Sequence, residues 1–346
     1  MENTAQQPNP ENIWKIGSGF MACKTLLAAV NFQLFTKLAA HPDQSARALK
    51  SQLNLNCTDR HFFDFLDTLT GFGFLSRTGI LDEALYSNSI DTEVFLDKNK
   101  PSYIGGILEM MNKRLYGFWG NLEEGLKTGT PQNEAKHGVN IFKEIYKDPE
   151  ILENFVNGMT GVQLGNFMTF AKKFDFSPYK TLTDAGGSAG YLSLMVAKEN
   201  PHMTCTCFDL PPVEPIAKET IKNLHLEDRV KAESGNFFVD PIPAADIIAM
   251  GNILHDWDES EKLQLLQKAY DTLPEGGVFV AIENIIDDER KHNLFGMMMS
   301  LNMMIETAGG FDYTFIDFNK WANSVGFKSC EILPLAGPAS AAIAYK

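Results

Sequence analysis

The segment Asp184-Ala185-Gly186-Gly187-Ser188-Ala189-Gly190 closes an apolar run and opens a helical one, and its reading decides the fold. Glycines let the main chain turn sharply and bring backbone N–H groups close to a ligand that side chains would hold off. The next apolar strand ends at Asp209, 25 residues after Asp184, near the spacing at which an acidic side chain receives two ribose hydroxyls. A pyrophosphate prefers a helix N-terminus free of competing carboxylates. Here Asp184 leads the turn, which suits a cationic or zwitterionic ligand better. A glycine turn alone also reads as a plain tight turn; the register with Asp209 favours the binding reading.

On either side of this turn the hydrophobic period changes. After Tyr179 come a strand through Leu182, a helix Tyr191–Lys198, a strand Met203–Phe208, a helix Val213–Leu224 and a strand Val230–Glu233. The strand Ala245–Met250, a long amphipathic helix to Leu273 and the run Val278–Ile282 follow. Such alternation predicts an α/β half, an open parallel sheet with both faces covered by right-handed crossovers, over residues 177–346. Before residue 176 apolar side chains recur at three-to-four spacing, over Ile13–Leu38, Ser45–Leu53 and Asp59–Gly71, the last capped by Thr58 or Asp59. A turn at Thr78-Gly79 and a strand-like Ile80–Tyr86 complete an all-helical, winged-helix-like domain with a small hairpin over 1–100. Residues 101–176 read as a helical linker, with Trp119, Leu122 and Leu126 on one face and helices at Phe142–Tyr146 and Leu152–Phe174.

A winged helix invites a nucleic-acid reading, and charge opposes it. The polar side of Asp59–Gly71 carries Asp59, Arg60, Asp64, Asp67 and Thr68, where a groove-reading helix needs Arg, Lys, Asn or Gln. The whole chain has 30 basic against 44 acidic residues, a net charge of −14, which disfavours phosphate backbones and anionic membranes alike. A packing and dimerisation module is the preferred reading of this half. The five cysteines, Cys23, Cys57, Cys205, Cys207 and Cys330, show neither a disulfide framework nor a zinc spacing. The polar start carries no secretory signal, and no uninterrupted apolar run approaches a membrane span of about 18 residues. A cytoplasmic setting is expected.

His255 follows the strand Ala245–Met250, and Asp258 with Glu261 forms a capping box for the next helix. In an open sheet built outward from its first strand, the first and fourth strands flank the switch point where ligands bind. His255 is therefore expected near the glycine turn, as the side chain best suited to take a proton at neutral pH. A histidine packing in a loop is the plainer alternative. Asp256 beside it raises a metal pair, but no third ligand is visible, so no metal is expected. Further on, Met297, Met298, Met299, Met303, Met304 and Asn302 share the helix Phe295–Thr307; such a stripe reads either as core or as a deformable pocket wall.

The ordered strings DAGGSAG, CFDLPPV, SGNFFVDPIP, NILHDWDE and PEGGVFVAIENIID resemble the class I S-adenosylmethionine-dependent methyltransferases. More narrowly the chain resembles the small-molecule O-methyltransferases that include acetylserotonin, caffeic acid and bacterial natural-product enzymes. The resemblance covers nearly the whole chain. It implies a Rossmann-like catalytic half, a homodimer formed through the N-terminal half, and transfer of a methyl group to a hydroxyl of a small aromatic acceptor. It places Asp184, Gly186, Gly187 and Gly190 near the methionine part of S-adenosylmethionine, Asp209 and Leu210 at ribose and adenine, and Asn236 and Phe237 at adenine. His255 would be the base, oriented by Glu283 first and by Asp312 second. Met159, Asp256, Met298 and Asn302 would meet the acceptor. The sequence departs from the family at Ser188, where a third glycine is usual, at Asn236, usually aspartate, at Gly251-Asn252, where a basic residue is common, and at the shorter Asp312. N- or C-methylation, another tailoring reaction on the same scaffold, or a winged-helix regulator that senses the cofactor stand as alternatives.

Overall fold

The computed structural model describes residues 8–100, 102–138 and 146–346, and main-chain contacts divide the chain into two units, Met1–Leu115 and Tyr116–Lys346. The division falls inside the stretch read as a linker. The helix expected at Phe142–Tyr146 lies, but for Tyr146, outside the described residues.

In the first unit the run read as one helix, Ile13–Leu38, is three: Glu11–Gly17, Gly19–Asn31 and Leu34–Ala40. It breaks at Gly17-Ser18-Gly19, a poor helix sequence, and at Gln33, which adopts a left-handed φ of 55°. By length and composition, Glu11–Asn31 could cross a membrane. The break at Ser18 and the charges of Lys15 and Lys24 interrupt it, while Leu27, Ala29 and Val30 enter this unit's own core. Thr58 caps the helix Asp59–Gly71, its hydroxyl accepting from His61 N–H at 3.2 Å, and that helix buries Phe62, Leu66 and Leu69.

The unit is not all helical. Strands β1 (Gln44–Ser45), β2 (Leu75–Thr78) and β3 (Leu85–Asn88) form a sheet in the order β1-β3-β2. The strand expected from Ile80 begins only at Leu85, because Leu81 takes a left-handed φ of 52° and Leu81–Glu83 winds into a short 3-10 turn. Asp67 accepts from both Tyr86 Oη and an Arg77 guanidinium nitrogen at 2.7 Å. Asp67 thus holds the hairpin to the helix Asp59–Gly71.

The second unit is built on a seven-stranded sheet in the order β6-β5-β4-β7-β8-β10-β9. Its strands are β4 (Thr181–Ala185), β5 (Thr204–Asp209), β6 (Val230–Ser234), β7 (Ile247–Gly251), β8 (Val278–Glu283), β9 (Ser329–Pro334) and β10 (Ser340–Tyr345). The sheet is mixed, which corrects the expectation of a wholly parallel one. Strand β10 runs antiparallel to both β8 and β9. Only a short turn joins β9 to β10, and neighbours so joined must be antiparallel, since a parallel pair needs a long crossover. Both faces are buried, as the continuous apolar strands require. Ile247, Ala249, Val278 and Val280 face one core; Ile248, Met250, Phe279 and Ala281 face the other.

Tyr86 is 1% exposed and its hydroxyl bonds Asp67. Tyr86→Phe should lower the unfolding free energy by about 1 kcal/mol, the usual net contribution of such a bond, measured by urea denaturation followed through circular dichroism.

Candidate functional site

Strand order places β4 between β5 and β7, so the chain reverses its direction of winding at β4. A crevice opens at the carboxyl ends of strands on either side of such a point. The turn Gly186–Gly190 lies there. Gly186 and Gly190 hold φ of 81° and 84°, and Ser188 holds 50°. The serine thus carries a conformation that L side chains resist and glycine takes freely. A Cβ on Gly187 would lie 2.7 Å from Cys207 Sγ and 2.8 Å from Asp184 Cγ, and one on Gly186 would lie 2.4 Å from Ile253 Cδ1. The turn is therefore closed below by β4 and β5 and flanked above by the loop that leaves β7.

Asp209, at the end of β5, accepts from Ser188 N–H at 2.8 Å and Leu210 N–H at 2.6 Å. Burial raises its carboxyl to about 6, with those two bonds acting in the opposite sense. Asp184 is 2% exposed and its Oδ2 meets no hydrogen-bond donor. Burial, then the charge of Asp209, raises it to about 7. Asn236 and Phe237 follow β6. The Asn236 side-chain carbonyl accepts from Phe238 N–H at 2.9 Å, so the adenine contact expected of it has one lone pair left. Phe237, Phe238 and Trp257 stack edge to face with centroids 4.6–6.2 Å apart, forming an apolar wall.

Two residues here escaped the sequence reading. Gln163, on the helix Pro149–Lys173, is 3% exposed with neither amide atom hydrogen-bonded. It lies one turn before Phe167, whose ring packs against Gly251 at the end of β7. Tyr146 lies near enough to Asp209 and Asp256 for both charges to add to what burial does, driving its phenol well above the usual range. No period or motif marks either residue; both sit in a stretch read only as helical.

His255 sits in the short turn Leu254–Asp256 beyond β7, 3% exposed. Its Nδ1 lies 3.3 Å from Asp312 Oδ1, and its Nε2 lies 3.6 Å from Asp256 Oδ1. Glu283, expected to orient the imidazole, instead accepts through Oε1 from Ile253 N–H at 3.2 Å and His255 N–H at 3.1 Å. It fixes the loop's backbone, and Asp312 meets the ring. The shorter aspartate reaches because Gly310 passes so close that a Cβ there would stand 2.5 Å from the carbonyl oxygen of His255. Burial alone would push the imidazole down; Asp312, Asp256 and Glu283 override it and raise it to about 10. Asp256 rises to about 7, first through burial, and Glu283 rises for the same first reason. Such closely packed groups titrate as a unit.

On the helix Leu294–Glu306, Asn302 is 4% exposed and its carbonyl accepts from Trp119 Nε1 at 2.9 Å. Gln132 N–H donates to Ile305 O at 2.7 Å and Asn133 Nδ2 to Glu306 O at 3.0 Å, so residues 119–133 are laced to this helix. Met303 is buried with Asn302, whereas Met298 is 43% exposed beside Leu301. Leu126, expected to share a face with Trp119, is likewise exposed. Met159 is half-buried on the helix that carries Gln163.

Residues 119–328 match the family described as the O-methyltransferase domain. The chain is 32% identical to the tetracenomycin polyketide synthesis 8-O-methyl transferase TcmO of Streptomyces glaucescens, with 97% of each chain covered. It is 27% identical to the 3-hydroxy-5-methyl-1-naphthoate 3-O-methyltransferase of Streptomyces sahachiroi, covering 95% of this chain and 92% of that one. Among solved structures, human N-acetylserotonin methyltransferase in complex with SAM superposes with a TM-score of 0.90 at 26% identity, over 100% of this chain and 99% of that one.

The His255–Asp312 contact has a measurable signature. Asp312→Asn should bring the imidazole midpoint down from about 10 toward the ordinary 6.5 by about 1–3 units, read by NMR titration of labelled histidine. Because the folded value lies above the unfolded one, this contact's stabilisation is full below pH 6.5 and is lost as pH rises through about 10. The variant should accordingly lose most stability at the acidic end.

Proposed function

The chain belongs to the O-methyltransferase domain family and is an S-adenosylmethionine-dependent O-methyltransferase, and from that premise we propose that it methylates a hydroxyl on a small aromatic acceptor with His255 as general base. The observation that carries this reading is the buried imidazole. Its Nδ1 is turned to Asp312, and its loop is pinned over the glycine turn by Glu283.

The residues present fit the cofactor. Asp184 Oδ2 is a buried carboxylate oxygen without a donor, suited to the ammonium of the methionine part, and the Gln163 amide is an unspent buried donor and acceptor. Each Asp209 oxygen accepts one backbone N–H and retains a lone pair for a ribose hydroxyl. The Phe237–Trp257 wall suits adenine. When bound, the sulfonium supplies an activated methyl group.

The protein's share is alignment and proton removal. His255 Nε2 accepts the proton of the acceptor hydroxyl as the oxygen–carbon bond forms. Asp312, on the opposite ring nitrogen, holds the ring in place and stabilises the imidazolium, as do Asp256 and Glu283. Asn302, its carbonyl engaged by Trp119, offers its amide N–H to an oxygen on the acceptor, and Met159 and Met298 supply adaptable apolar surface. The relatives named for a naphthoate and for a polyketide product favour a fused-ring hydroxyaromatic acceptor. The N-terminal unit, winged-helix-like in order, serves dimerisation; Ile13, Trp14, Ile16, Phe20 and Met21 are exposed on its first two helices and would be covered by a second copy. A cytoplasmic homodimer that binds neither nucleic acid nor membrane follows from this reading and from the acidic charge.

Incubation with methyl-labelled S-adenosylmethionine and either 3-hydroxy-5-methyl-1-naphthoate or N-acetylserotonin should give an O-methyl ether, detected by mass spectrometry. A label on carbon or nitrogen would overturn the reading. His255→Ala should lower turnover by about 10²–10⁴-fold with little change in S-adenosylhomocysteine affinity; equal loss of both would make the histidine structural.

Asp184 gives a second test. In the free protein it keeps its proton below about 7, and an ammonium favours the ionised form. Affinity for S-adenosylhomocysteine should therefore rise with pH up to about 7 and level off above. Calorimetry at three pH values reads this, and Asp184→Asn should flatten the profile.

A further inference from the structure

Lys262, on the helix Glu259–Thr272, shows no accessible surface. Burying an ammonium is strongly unfavourable unless its surroundings replace water. Here its Nζ donates to the carbonyl oxygen of Trp257 and stands 3.5 Å from the centroid of the Phe311 ring, with the Tyr313 and Trp321 rings at 5.9 Å. Trp257 lies two residues beyond His255, and Phe311 immediately precedes Asp312. One cation therefore grips both segments that carry the imidazole and its carboxylate partner.

The surrounding charges are acidic. Glu283 comes from β8, Asp256 from the turn beyond β7, Asp258 from the cap of Lys262's own helix, and Asp312 with the Tyr313 phenol from the segment before the helix Phe315–Val325. Glu306, ending the methionine-rich helix, acts on Asp256. Burial lowers the Lys262 ammonium to about 8 while those carboxylates hold it up, so it is mostly charged at neutral pH.

We propose that Lys262 is a positioning residue for proton removal, a buried amine that clamps the His255 and Asp312 segments together, through the Trp257 carbonyl on one side and the Phe311 ring on the other, and so keeps Asp312 against the imidazole. Its catalytic meaning rests on His255 being the base; its positioning content does not.

The test is an NMR pH titration of the full chain with labelled histidine, His255 being assigned by its absence in His255→Ala. Lys262→Met should let Asp312 draw back from the ring and lower the His255 midpoint by about one unit, so that neutral imidazole at pH 9 rises about fivefold, and Lys262→Gln, which keeps a donor for the Trp257 carbonyl, should hold it nearer the wild-type value. An unmoved or raised midpoint in folded Lys262→Met overturns the inference, whatever His255 does in catalysis. Full turnover in His255→Ala would instead sink the base assignment and leave the midpoint shift standing. Should Lys262→Met not fold, Phe311→Leu, which removes the ring on the other side of the clamp, is read in its place. A midpoint lowered by about half a unit or more supports the clamp. An unmoved or raised midpoint, or a variant that also fails to fold, overturns it.

Discussion

The site depends on one carboxylate oxygen. Glu283 Oε1, at the end of β8, accepts the backbone N–H groups of Ile253 and His255 and so fixes the loop leaving the neighbouring strand β7. Ile253 then lies against Gly186, and His255 lies within reach of Asp312. Glu283 is 1% exposed, and a buried carboxyl oxygen shared by two backbone amides would leave both donors unpaired if the loop moved away. The placement of His255 is thus tied to the alignment of β7 with β8.

That arrangement also explains the charge of the site. Bringing Glu283, Asp312 and Asp256 around one imidazole makes the ring hold its proton more tightly, so less of it stands neutral and ready to accept near pH 7. The ring that is neutral is a correspondingly stronger base. Lys262 grips the segments on either side of this cluster. The acidity of the chain as a whole is less specific: in the N-terminal unit Asp67 serves the Tyr86 and Arg77 contacts, and Asp59 pairs with Lys50 at 2.7 Å and with Arg47 at 3.4 Å.

The α/β half was legible because its strands are buried on both faces and its helices are amphipathic, so the period changes at each element. The cradle was legible because Gly186, Gly190 and Asp209 serve local backbone requirements that leave a local trace. What required three dimensions was pairing. Nothing near Ser340 in sequence announces that β10 will run against β8, and nothing near Asp312 announces that Gly310 brings it close enough to replace a longer acid. Helical spacing set the methionines on one helix but not which of its sides is covered, Met303 being buried and Met298 exposed. Lys262 was hidden by its good company: in an amphipathic helix opened by a capping box, a lysine four residues in looks like any solvated charge.

The placement of β10 bears on how the molecule is made. Residues 340–345 slot between β8, finished some sixty residues earlier, and β9, which is synthesised just before them. Until they leave the ribosome, β9 has no partner on the sheet and the Val278–Glu283 edge stays open to any other strand. The late arrival of one alanine-rich segment therefore closes the sheet, and the interval before it is when this chain is most exposed to mispairing.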